Sequence, residues 1–188
     1  MSRLLTEGVW AESAVGVVRV DTPLSLLPLH VRGGMVTPLQ QPAANSKISR
    51  SNPFEFLGQY CIISSSLHCY IAHLNIPYAV ALDEDEAASG SVFYDDGESL
   101  KTVEKGEYFL GEVTMIPGGR NIHMTVVKDD YRGVDSLSVE RVIVLGLRTE
   151  VVEVSVNYEP HHEWTFEAGG LMINNLTLSL NENFLISI

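Results

Sequence analysis

Hydrophobic and polar positions alternate with a period of two along much of the chain. In residues 121–126, Ile122, Met124 and Val126 alternate with Asn121, His123 and Thr125. Val152, Val154 and Val156 likewise alternate with Glu153 and Ser155. Successive side chains of an extended strand point to opposite faces, so this pattern predicts strands with one buried and one solvated face. Runs rich in β-branched and aromatic residues predict further strands at 15–20, 35–39, 91–94, 108–115, 139–145, 163–166, 176–180 and 184–188. No long stretch carries the 3.6-residue periodicity of an amphipathic helix.

Turn residues separate these runs: Gly33-Gly34, Asp95-Asp96-Gly97, Lys105-Gly106, Pro117-Gly118-Gly119 and Gly169-Gly170. Glycine supplies positive φ, and Asp bonds to nearby backbone amides. Many short strands without intervening helices predict an all-β antiparallel sandwich and argue against an α/β barrel. No internal repeat is present.

Composition fits a folded domain: of 188 residues, 45% are hydrophobic and 19% charged. The 12 basic and 24 acidic residues give a formal net charge of −12. A surface of that average sign repels nucleic acid and anionic membranes, so neither is expected as a partner. Residues 1–10 contain Arg3 and Glu7 and lack the apolar run of a secretory signal. Cys61 and Cys69 are the only cysteines, too few for a disulfide scaffold, and they leave the redox compartment open.

One stretch differs from the rest. Residues 58–79 contain no Asp, Glu, Lys or Arg and carry both cysteines. Three serines, two histidines, Gln59, Asn75 and Pro77 make it a poor transmembrane helix.

Residues 28–43 read Pro-Leu-His-Val-Arg-Gly-Gly-Met-Val-Thr-Pro-Leu-Gln-Gln-Pro-Ala. They are followed by Ser49-Arg50-Ser51-Asn52-Pro53-Phe54, Val80-Ala81-Leu82-Asp83, Gly90-Ser91-Val92-Phe93-Tyr94-Asp95-Asp96-Gly97-Glu98-Ser99 and Lys105-Gly106-Glu107-Tyr108-Phe109. In this order the blocks resemble the C-terminal region of glycoside hydrolase family 31 α-glucosidases, in the branch of maltase-glucoamylase, sucrase-isomaltase and lysosomal α-glucosidase. The resemblance implies that residues 1–32 are the remnant of a proximal β-sandwich and 33–188 a distal one. It also implies that a segment like Pro53-Phe54-Glu55-Phe56-Leu57 runs almost directly into Val80-Ala81-Leu82-Asp83, so 58–79 reads as an insertion, either a surface loop or a translated, unspliced intron. For a full-length parent it implies hydrolysis of terminal α-linked glucose and a lysosomal, secreted or cell-surface location.

That chemistry uses two carboxyl groups about 5 Å apart, carried in the family by a (β/α)₈ barrel of about 250 residues that this chain cannot contain. No residue here inherits a catalytic, substrate-binding or metal-ligating role, and no cofactor is implied. The expected partner is the catalytic barrel of the same parent, with carbohydrate second. The resemblance marks His30, Arg32, Gly33, Gly34, Tyr94, Asp95, Asp96 and Gly97 as structural residues.

Asp95 and Asp96 precede Gly97 and are expected to shape a turn. The run Asp83-Glu84-Asp85-Glu86 matches a calcium loop only at its first and third positions and reads as a solvated loop. His161, His162 and Glu163 are adjacent, so on a strand they point to opposite faces, and a surface loop is expected. Trp10, Tyr94, Tyr108, Phe109 and Trp164 are candidates for a sugar-stacking platform, with core packing the commoner role. Asn175-Leu176-Thr177 is an N-glycosylation triplet that is used only on the secretory route. Three classes of function remain: a non-catalytic hydrolase segment, a free-standing carbohydrate-binding module, and a structural or interaction sandwich.

Overall fold

A computed structural model describes residues 3–6, 9–12, 31–40, 43–56, 78–83, 85–118, 120–167 and 170–188. The expected strand at 15–20, His30, Glu84, Gly119, Gly169 and residues 58–77 of the uncharged stretch lie outside them.

A first group of strands is β1 (Arg3–Thr6), β2 (Val9–Glu12) and β3 (Val31–Arg32), which form a three-stranded sheet in the order β2-β1-β3. Trp10 stands opposite Leu5, and Arg32 opposite Leu4. The remaining strands are β4 (Met35–Gln40), β5 (Phe54–Phe56), β6 (Tyr78–Ala81), β7 (Ala88–Tyr94), β8 (Phe109–Met115), β9 (Asn121–Asp129), β10 (Ser138–Leu145), β11 (Val154–Val156), β12 (Glu159–His161), β13 (Trp164–Glu167), β14 (Gly170–Ile173), β15 (Leu178–Ser179) and β16 (Phe184–Ser187). They follow one another side by side as β12-β11-β16-β9-β8-β7-β4-β5-β6-β10-β14-β13, with β15 on β10. The result is an all-β sandwich around one hydrophobic core. Among the described residues the helices are short: α1 (Ser46–Ser49), α2 (Thr102–Lys105) and a 3₁₀ turn at Arg132–Ser136. No described helix is long and apolar enough to cross a membrane.

Alternation places the core. On β8, Phe109, Gly111, Val113 and Met115 are buried while the residues between them are not. On β9, Ile122 and Met124 are buried, but Val127 is exposed. Its exposure continues the strand's alternation, with 123, 125, 127 and 129 all on the wet face, even though a bulge there pairs Leu110 with Lys128 and Gly111 with Val126 and leaves Val127 without an opposite number. β10 departs from alternation, because Val142, Ile143, Val144 and Leu145 are all buried. Successive residues of a strand point to opposite faces, so both faces are covered here, and such a strand reads as a continuous apolar run. The expected 152–156 alternation begins too early. Val152 is 86% exposed and precedes the strand, whereas Val154 is in the core.

The pairing around β5 and β6 has a special form. Along β4, Gln40, Leu39 and Pro38 face Phe54, Glu55 and Phe56; the next residues, Thr37, Val36 and Met35, face Ala79, Val80 and Ala81. On the other side, β10 runs parallel to both. Val139 and Arg141 face Phe54 and Glu55, then Val142 to Leu145 face Tyr78 to Ala81. The two short strands therefore occupy one continuous lane between β4 and β10. Phe56 and Ala79 hold neighbouring places in that lane although the 22 residues 57–78 separate them in the chain. Tyr78 and Ala79, counted with the uncharged stretch on sequence grounds, thus belong to β6.

Candidate functional site

β7 ends at Tyr94, and the chain turns immediately. Asp95 Oδ1 accepts the Gly97 amide at 2.8 Å, and its Oδ2 accepts the Thr102 hydroxyl at 2.7 Å. Asp96 Oδ1 accepts the amides of Glu98 at 3.0 Å and Ser99 at 2.9 Å, while its Oδ2 accepts the Ser99 hydroxyl. Each carboxylate is thus occupied in shaping backbone two to seven residues ahead. Gly97 closes the turn with φ +69°, a left-handed conformation that disfavours a Cβ.

The turn is braced from a distance. Asn45 caps α1 through its side chain, accepting the Ile48 amide at 2.9 Å, and this short helix delivers Arg50. The Arg50 guanidinium donates to the Asp95 carbonyl, lies 3.5 Å from Asp95 Oδ1, and sits 4.5 Å above the Tyr94 ring. In return the Tyr94 hydroxyl donates to the Arg50 carbonyl, which also accepts from Gln40 Nε2 at 3.1 Å. Burial, the largest influence, pushes the Tyr94 phenol pKa up. The ring is held in the core by an edge-on contact with Phe54 at 5.7 Å and a tilted one with Tyr131 at 6.0 Å.

Between this turn, α1 and the Arg132–Ser136 turn lies an open cleft of about 370 Å³. Lys47, Arg50, Tyr94, Asp96, Glu98 and Tyr131 line it, together with serine hydroxyls.

The Asp96 carboxyl is lowered from 3.8 to about 2, first by the Ser99 hydroxyl and then by the Ser99 and Glu98 amides. A depressed carboxyl pKa contributes stability that is complete above the unfolded value and is lost as pH falls through the folded value. The turn should therefore hold above about pH 4 and loosen toward pH 2. Ser99→Ala removes the largest influence and should move the Asp96 midpoint upward, read from the ¹³C shift of its carboxyl in a pH titration. An unmoved midpoint would mean that the hydroxyl does not hold the charge.

The residues marked on the sequence do not form one site. Gly33 and Gly34 make the tight turn from β3 to β4, with Gly34 at φ +82° and its carbonyl accepting the Ser89 amide at 3.1 Å. Met35 pairs with Ser89 at the start of β7, five residues from Tyr94. At about 3.3 Å per residue, the two turns are about 17 Å apart along the strand. The acidic loop is tied up locally, since Asp83 Oδ1 accepts the amides of Asp85 at 2.9 Å and Ala87 at 3.0 Å. Among the described residues no three metal-ligating side chains converge.

His161 is on β12 and not in a loop, and its Nε2 is 2.8 Å from the Asn174 carbonyl oxygen. Its neighbour His162 is exposed. Asn175 sits exposed in a turn at φ +52°. The aromatic candidates disperse: Phe109 and Tyr94 are buried, Trp164 packs against the core, and Tyr108 stacks on exposed Phe93 at 5.3 Å with Lys128 5.2 Å from its ring. Sequence reasoning missed the brace itself. Arg50 acts across 45 positions, and no local pattern announces such a contact.

No family model matches the chain. It is 31% identical to intestinal sucrase-isomaltase of Suncus murinus, over 99% of this chain and 10% of that one. Lysosomal α-glucosidase of Rattus norvegicus is 29% identical, over 88% of this chain and 14% of that one. Of solved structures, the α-1,4-glucan lyase of Gracilariopsis lemaneiformis superposes with a TM-score of 0.61 at 14% identity, over 100% of this chain and 20% of that one. The glycoside hydrolase family 31 dextranase of Flavobacterium johnsoniae gives 0.56 at 17% identity, over 90% and 20%. The chain thus spans about a tenth of the sucrase-isomaltase it matches. It is a homologue of one β-sandwich segment of the glycoside hydrolase family 31 α-glucosidases.

Proposed function

We propose that this chain serves as the non-catalytic C-terminal segment of a larger α-glucosidase, where it buttresses the catalytic barrel. The observation that carries this reading is coverage: almost all of this chain aligns with a small fraction of each relative. Chemistry agrees with it. A retaining glycosidase needs two carboxyl groups about 5 Å apart across a sugar-binding cleft, and the adjacent pair here, Asp95 and Asp96, is spent on backbone amides and hydroxyls. The parent would release terminal α-linked glucose, consistent with the maltose- and sucrose-type hydrolases among its relatives. Relatives named as intestinal and lysosomal favour a secretory route for it, on which Asn175 would be glycosylated.

Residues 1–32 form the end of a proximal sandwich in this reading, and 33–188 the distal one. The separate β2-β1-β3 sheet supports a division near Arg32. The uncharged stretch is an insertion into a strand, a reading supported by the continuous lane of β5 and β6 between β4 and β10.

An antibody to residues 108–112 tests the assignment on the native polypeptide. It should detect a chain several times heavier than 20.7 kDa. A band at 20.7 kDa would overturn the buttress reading and favour a barrel-less binding or interaction protein.

A further inference from the structure

We propose that the cleft between the Tyr94–Gly97 turn, α1 and the Arg132–Ser136 turn binds a neutral polyhydroxylated ligand, namely a hexose unit of a carbohydrate. The cleft is lined wholly by residues of this sandwich.

Size comes first. About 370 Å³ falls in the range of small-molecule sites. Next is the wall. Half-buried Tyr131 supplies the aromatic wall, backed at 6.0 Å by the buried Tyr94 ring, whose hydroxyl is already given to the Arg50 carbonyl. Aromatic rings offer an apolar face to the C–H side of a sugar and a polar rim to its hydroxyls.

Charge then selects the class of ligand. Lys47 and Arg50 bring two cations, and Asp96 and Glu98 two carboxylates. Two charges of each sign leave the cleft without a net charge, so nothing in it favours an ionic ligand of either sign. A hexose hydroxyl donates and accepts, so it satisfies both kinds of partner without a charge of its own. Two of the four charged groups are held in place before any ligand arrives: Arg50 by the Asp95 carbonyl and the Tyr94 ring, and Asp96 by its three local donors. Such pre-ordering lowers the entropy lost on binding.

The test is an NMR titration of the full 188-residue chain with maltose up to about 50 mM, with glucose 6-phosphate as the charged comparator. Saturable shifts are expected at Tyr94, Glu98 and Tyr131, with maltose preferred over the phosphate. Lys47→Ala combined with Glu98→Gln removes one group of each sign from exposed positions. It should weaken binding about fivefold or more while leaving the melting temperature unchanged. Tyr131→Ala should weaken it further. No saturation, tighter binding of the phosphate, or unaltered affinity in the double variant would each overturn the proposal.

Discussion

A variant lacking residues 57–78 is expected to fold and to melt about 5–10 °C above the full chain. Removing them joins Phe56 to Ala79, and these already face adjacent residues of β4, Pro38 and Thr37. The β10 side agrees, because Phe56 would take the place that Tyr78 now holds opposite Val142. Facing is preserved as well. In the joined strand Phe54, Phe56 and Val80 are alternate residues, and Phe54 and Val80 are both buried, at 5% and 0% exposure. Closing a 22-residue excursion costs about 2–3 kcal/mol in chain entropy, and the deletion abolishes that cost. For a domain of this size, each kcal/mol moves the melting temperature by about 2–4 °C.

The control is a deletion one residue longer, 57–79. It places Val80 opposite Thr37 and turns the following side chains to the wrong face, since a one-residue slip exchanges the two faces of a strand. That variant should melt well below the first. If the two deletions melt alike, or if the 57–78 deletion fails to fold where the full chain folds, the insertion reading is wrong. At the level of the message, a transcript lacking the corresponding 22 codons would identify the stretch as a retained intron, and its presence in every transcript would identify a loop.

Legibility followed the balance between local and distant causes. β8, β9 and β16 were visible because each has one wet face, and alternation records that directly. β12 was not. The hairpin joining it to β11 turns through Asn157 and Tyr158 at φ 49° and 70°, both left-handed, and contains no glycine. A bulky residue at such a position is unusual, so turn chemistry gave no warning. β14 was hidden for another reason: Gly170, read as part of a turn, is its first residue, paired with both Leu145 and Glu167.

At the candidate site, the Asp-Asp-Gly turn was readable because Asp bonds to amides two or three residues ahead. The Arg50 brace and the cleft beside it depend on bringing α1 to the end of β7. The pairing of β4 with both β5 and β7 does that.

Gly90→Ala should destabilise the sandwich by about 3 kcal/mol or more and lower its melting temperature by about 6–12 °C. A Cβ at this position would lie 2.3 Å from the Val36 carbonyl oxygen and 2.9 Å from the Val36 Cβ. Neither atom is free to retreat, because Val36 is itself paired with Val80 in the lane between β4 and β10. Relief requires β4 and β7 to separate, which opens the core at Val36, Val80 and Val92. Gly111→Ala supplies the comparison. Its Cβ would come still closer to one atom, 2.2 Å from Met124 Cε, but that atom ends a flexible side chain. Methionine repacks at small cost, so this variant should lose only about 1 kcal/mol. Thermal melts of the two variants decide the point. Equal losses would mean that the approach of Gly90 to β4 is not the constraint that excludes a side chain there, whereas a large loss confined to Gly90→Ala would tie the integrity of the whole core to one backbone contact.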